Sequence, residues 1–148
     1  IEAFGKRCND VVNAGGLQCG PQLAQVDLLV PVPLHPARLQ QRGFNQTVIL
    51  CQYMQTAWKR PVCDFVLRTR RTETQSGLSS AKRKHNLRRA FALLPGFDFR
   101  KKRCLIVDDV ITSGHTFASL AQLIEEYGGQ PMGIFAARTE RWNRGYQL

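Results

Sequence analysis

An α/β fold with a mostly parallel central sheet flanked by helices is what this sequence predicts, on three observations. Cys104-Leu105-Ile106-Val107 is a continuous apolar run of strand length, the kind that parallel sheets bury on both faces. Phe117, Leu120, Ala121, Ile124 and Tyr127 then form a helical stripe, closed by Gly128-Gly129. Met132 to Ala137 reads as a further buried strand, and strand–helix–strand in this order is a right-handed βαβ unit. The 148 residues match one ordinary domain, so residues 1–148 are expected to form one unit.

The earlier elements follow from the same rules. Residues 1–25 begin as an amphipathic helix (Phe4, Cys8, Val11, Val12) and break at Ala14-Gly15-Gly16, a lead-in to the domain. Asp27 to Pro33 reads as a short apolar strand that its prolines must end. From Phe44 to Trp58, apolar residues at 44, 48, 51, 54 and 58 line one helical face. Arg60-Pro61 stops that helix, and Val62 to Leu67 predicts a second strand. Residues 68–90 are polar and basic with no sustained apolar face, which predicts a mobile loop with a short helix from Ser80 to Arg89.

Composition narrows the class. Apolar residues are 43% and charged residues 22%, which excludes a disordered tail or a fibrous repeat. No apolar run approaches the ~20 residues of a membrane span. Five scattered cysteines without a Cys-x-x-Cys pair argue against a disulfide framework or a zinc ribbon. They predict a reducing, cytoplasmic setting. The opening residues contain no basic-then-apolar leader, and the expectation is of a chain trimmed at its front.

Charge is the first functional signal. The net charge is +10, yet residues 38–103 hold sixteen Lys/Arg and three acids, a net of +13. Eleven of the sixteen are arginines, whose planar fork suits phosphate oxygens. A solvated surface is one reading of the block; an anionic partner is the reading favoured here.

The chemistry concentrates in Leu105 to Thr116. A buried strand delivers Asp108 and Asp109 at its carboxyl end, where open α/β sheets bind ligands. Val110 and Ile111 lead to Thr112, Ser113, Gly114, His115 and Thr116 at the mouth of a helix. Backbone N–H groups there carry partial positive charge and cradle a phosphate dianion. Gly114 lets the backbone approach the oxygens, and the hydroxyls can donate to them. Two carboxylates a sugar's width away suit vicinal hydroxyls or a hydrated Mg²⁺. Singly, the acid pair reads as a turn and Thr-Ser-Gly-x-Thr as a capping cluster. The Lys of a nucleoside-triphosphatase loop and the three glycines of a dinucleotide fingerprint are both missing.

Cys104 to Phe117 closely resembles the phosphoribosyl-pyrophosphate (PRPP) motif of type I phosphoribosyltransferases. That resemblance implies their fold with a flexible loop over the site, Asp108 and Asp109 on the ribose hydroxyls or Mg²⁺, and residues 110–116 around the 5′-phosphate. Upstream, Val30-Pro31-Val32-Pro33-Leu34-His35, Arg42-Gly43-Phe44-Asn45-Gln46, Thr72-x-x-Gln75-x-x-Leu78, Arg83, Asn86 and Phe91 resemble the ComF/GntX family. Its members are phosphoribosyltransferase-like proteins associated with competence and the use of external DNA. Many carry an N-terminal zinc-binding segment, which this sequence lacks; Cys8 and Cys19 do not replace it.

On that scaffold Leu34 and His35 occupy the place of a pyrophosphate-binding loop, with Arg38 and Arg42 just beyond. His35 reads equally as a turn residue, and Asn45 as a helix cap. Residues 70–90 correspond to the loop that closes over PRPP, with Arg83 the candidate catalytic residue; a solvated basic helix is its competitor. His85 and His115 read as surface or capping residues. The implied reaction releases pyrophosphate from PRPP, with Mg²⁺ as the accompanying cation. The alternative is a non-catalytic module binding a phosphoribosyl nucleotide, or tracking single-stranded DNA with aromatics such as Phe44, Tyr53, Trp58 or Phe91, within a competence machinery. The acceptor and the oligomeric state are not implied.

Overall fold

The computed structural model describes residues 23–69 and 90–138. A 3₁₀ turn at Leu23–Gln25 leads into β1 (Leu28–Pro31), α1 (Pro36–Arg42), α2 (Gln46–Trp58), β2 (Val66–Arg68), β3 (Phe91–Leu93), β4 (Arg103–Ile111), α3 (His115–Glu126) and β5 (Gln130–Arg138). β1, β4 and β5 form a parallel sheet in the order β1-β4-β5, with Leu28 opposite Cys104 and Val107 opposite Ile134. β4 is therefore central, and its alternate side chains face two different layers.

Leu105 and Val107 meet Cys51 and Met54 of α2, together with Leu29. Cys104 and Ile106 meet Leu120, Leu123 and Ile124 of α3, together with Leu28 and Val30. The period of two along β4 feeds both layers, which is why its sequence is apolar without alternation. Burial also pushes the Cys51 and Cys104 thiols up to about 12, so both are inert packing groups at neutral pH.

The start of the sheet is pinned by ions. Asp27 Oδ2 accepts from Arg103 N at 2.8 Å and from Nε at 3.0 Å, and Oδ1 accepts from Nη2 at 3.1 Å. Asp27 N donates to Arg103 O at 2.9 Å, so the two residues are locked in both directions and set the β1–β4 register. The hydrogen bonds from Arg103 hold the Asp27 carboxyl down at about 2. A lowered folded value means the contribution is complete above pH ~4 and is lost as pH falls toward 2. Because both side chains are more than a third exposed, screening keeps it small. Asp27→Asn is expected to lower the melting temperature by a few degrees at pH 7, with the gap to wild type closing near pH 2.

Several elements differ from the sequence expectation. Val62 forms only a parallel bridge to Leu29, and the chain then leaves the sheet to build β2 against β3 as an antiparallel pair. The expected strand over Val62 to Leu67 is thus two short pieces. Strand pairing in β4 continues beyond the acid pair to Ile111. β5 is half-buried rather than buried, because among the described residues only β4 pairs with it. The expected helices over residues 1–25 and 80–89 lie wholly or almost wholly outside the described residues. No helix among the described residues is long and apolar enough to cross a membrane.

Candidate functional site

β4 and the turn to α3 create one concavity. Asp108 and residues 110–117 line an open depression of ≈ 220 Å³, part of it solvent. Gly114 is the N-cap of α3 at φ 73°, a left-handed conformation that costs an L side chain ~1 kcal/mol or more. No side chain caps this helix start. Thr112 and Ser113 are exposed at the rim, with hydroxyls free to turn toward a ligand. The turn is anchored from behind by Phe117, whose ring packs edge-on against Phe135 at 5.5 Å. That packing needs Gly133, where a Cβ would lie 2.7 Å from Phe117 and 2.9 Å from Phe135.

The acid pair divides between two sides. Asp108 faces the concavity. Asp109 turns toward α2, where its Oδ2 accepts from Gln46 Nε2 at 2.8 Å, while its Oδ1 accepts from Val110 N at 2.9 Å. Asp108 Oδ1 accepts from Asp109 N at 3.0 Å. Burial first, and then the charge of Asp109, push the Asp108 carboxyl up to about 7. Such a carboxyl keeps its proton up to near neutrality, and an arriving cation would favour its charged form.

A cation already stands nearby. Arg68 ends β2 with its guanidinium over the Phe91 ring, 5.6 Å from the centroid. The half-buried guanidinium has its pKa lowered by desolvation and by repulsion from Arg38, and raised by Asp108. Arg68 of β2 therefore feels both Arg38 of α1 and Asp108 of β4. Just before β2, Phe65 stacks on Phe97 at 4.6 Å, and Phe97 meets the fully buried Phe99 at 5.2 Å.

The structure thus brings Asp108, Val110, Ile111, Thr112, Ser113, Gly114, His115 and Thr116 to one concavity, with Asp109 beside it. Arg38 is exposed on α1, within electrostatic reach of Arg68. His35 is the N-cap of α1, its Nδ1 accepting from Ala37 N at 3.2 Å. Leu34 is half-buried before it, and Arg42 is exposed in the last helical turn. Arg83 and His85 lie outside the described residues. Sequence reasoning missed Arg68, and it named Gln46 only within the Arg42–Gln46 motif, without a role. Arg68 had a signal, a basic residue at a strand end feeding a basic loop; Gln46 was hidden behind the capping role of Asn45.

Comparison with known proteins adds an independent view. A family model described as phosphoribosyl transferase domain matches residues 41–141. The chain is 40% identical over 114 residues to the DNA utilization protein YhgH of Escherichia coli K12, covering 74% of this chain and 48% of that protein. It is 34% identical over 116 residues to Competence protein F of Haemophilus influenzae, covering 77% and 51%. The chain spans about half the length of these curated relatives. Among solved structures, a Trypanosoma cruzi hypoxanthine phosphoribosyl transferase matches with TM-score 0.56 at 15% identity, covering 99% of this chain and 70% of that one. An orotate phosphoribosyltransferase from Aeropyrum pernix matches with TM-score 0.54 at 14% identity, covering 96% and 63%.

Proposed function

Because the chain belongs to the phosphoribosyl transferase domain family, we propose that it binds PRPP or a 5-phosphoribosyl nucleotide and transfers phosphoribose with release of pyrophosphate. The fold is that of type I phosphoribosyltransferases. Similarity to proteins named for DNA utilization and competence supports a role in the use of external DNA.

One observation carries the reading: Asp108 and the glycine turn into α3 share a single concavity at the carboxyl end of the central strand. The turn supplies N–H groups and the helix dipole to a terminal phosphate. In this reading the sugar hydroxyls are assigned to Asp108, on the concavity, and to Asp109 beside it. The pyrophosphate is assigned to Leu34, His35, Arg38 and Arg42 at the first loop and helix, joined by Arg68, with Arg83 as the candidate catalytic residue. In transfer, the bond from C1 to the pyrophosphate oxygen breaks with its electrons leaving on that oxygen. The acceptor's lone pair makes the new bond to C1.

The residues also fit Mg²⁺. Burial and mutual repulsion in the carboxyl pair are what a cation relieves, and Asp108 and Asp109 would hold it. Among the described residues no group of three or more His, Cys, Asp or Glu side chains could hold a metal by itself. That composition suits an ion carried largely by ligand phosphates and water. When bound, it supplies neutralisation of the departing negative charge.

Calorimetric titration with PRPP and Mg²⁺ is expected to show saturable binding. Gly114→Ala should weaken it about tenfold, since a Cβ at φ 73° disturbs the turn that meets the phosphate. Pyrophosphate release with a panel of nitrogenous bases tests transfer. Binding without release under every base would leave a nucleotide-binding module, and no binding at millimolar PRPP would overturn the proposal.

A further inference from the structure

The side chain of Gln46 stands at a junction that the phosphate turn does not use. It is the first residue of α2, and its neighbours tie that helix start to the end of β1. Asn45 Nδ2 donates to Val32 O at 3.1 Å, and Thr47 Oγ1 donates to the same carbonyl at 2.8 Å. Gln46 reaches the other way, to β4, where Nε2 donates to Asp109 Oδ2 at 2.8 Å. Val110 N holds Oδ1 at 2.9 Å, so each carboxylate oxygen has its own donor. Neither oxygen can leave its place without breaking a charge-assisted bond. The carboxylate has one orientation.

The far end of the amide is different. Gln46 Oε1 is buried and has no hydrogen-bond partner. Turning the amide over would set Oε1 against the Asp109 oxygen, acceptor against acceptor, so Nε2 must face the carboxylate. The bond that Gln46 makes is therefore the one to Asp109, through Nε2.

Resting on the reading of the site given above, we propose that Gln46 is a positioning residue for sugar recognition. By holding Asp109 in one orientation, it sets the acceptor geometry that separates a phosphorylated sugar with a vicinal diol from one lacking a hydroxyl. A carboxylate locked by two donors offers its remaining lone pairs in set directions, and a sugar missing the matching hydroxyl leaves one of them unpaired. A carboxylate free to rotate would turn its lone pairs to water instead and discriminate less.

The test titrates ribose 5-phosphate, 2-deoxyribose 5-phosphate and inorganic phosphate into the wild-type chain and into Gln46→Met. Methionine matches the length of glutamine without its donors. The wild type is expected to prefer ribose 5-phosphate about tenfold over the deoxy sugar, and Gln46→Met to lose most of that ratio. Its melting temperature should be no lower than that of the wild type. Gln46→Asn, which keeps an amide one methylene short of Asp109, is the second variant and is expected to lose the ratio likewise. A purely structural role would instead weaken all three ligands in parallel, with the ratio intact, and that result overturns the inference. A wild-type preference that persists in both variants overturns it too, leaving the reading of the site in place. No preference in the wild type overturns the inference as well, whereas binding of none of the three ligands overturns the reading of the site itself.

Discussion

Asparagine at position 108 is expected to make the unliganded protein more stable at pH 8 while weakening PRPP binding at least tenfold. The two effects have one cause. The fold holds a carboxyl where burial and the Asp109 charge push it from 3.8 up to about 7. Between those pH values the unfolded chain gives up the proton and the folded chain keeps it. Stability therefore falls as pH rises from about 4 to about 7 and is level above that. The full displacement is worth up to about 4 kcal/mol; water at this half-buried site reduces the gain in Asp108→Asn to ~1–2 kcal/mol. Denaturant unfolding of both proteins in chelator at pH 3.5 and pH 8 checks the sign. The curves should agree at the lower pH and separate at the higher. Asp27 contributes with the opposite sign in a lower window, and equally in both proteins. A variant less stable than wild type at pH 8 would show that Asp108 is a structural group rather than one held for a ligand.

Removing the guanidinium at position 68 is expected to cost about 30-fold in PRPP affinity. Arg68 is half-buried and shares its surroundings with Arg38 and Asp108. Partial desolvation strengthens its attraction for phosphate relative to a solvated surface arginine. Arg68→Leu keeps an apolar contact with Phe91 but loses the charge, and its binding should show a shallower dependence on salt. Arg68→Lys should recover only part of the affinity, since the planar group over the ring cannot be replaced by a point charge. With Asp108 no longer opposed by that cation, its carboxyl should move still higher, readable from carboxyl resonances. Wild-type affinity in Arg68→Leu would remove this residue from the pyrophosphate side of the site.

Much of this was legible in the chain alone because local rules apply where an element is buried on both faces or capped by its own residues. β4 reads as a strand since both layers need its side chains apolar, and Asn45 reads as a cap since its Oδ1 accepts from Thr47 N, two residues on, at 3.1 Å. The glycine turn is legible for the same reason: its hydroxyls, Gly114 and the helix start lie within five residues. β2 and β3 were less legible. Three-residue strands carry too little periodicity, and their pairing of Arg68 with Phe91 joins positions 23 apart.

What the sequence by itself determined is the layered architecture, the family resemblance and a turn fit for phosphate. Those depend on short-range chemistry and on the apolar period. Tertiary structure alone decided that neighbouring aspartates part company, Asp108 to the concavity and Asp109 to Gln46, 63 positions earlier. It also decided that a cation from β2 comes within reach of Asp108. Adjacent residues on a strand point to opposite faces, and what each then meets depends on which helix covers that face.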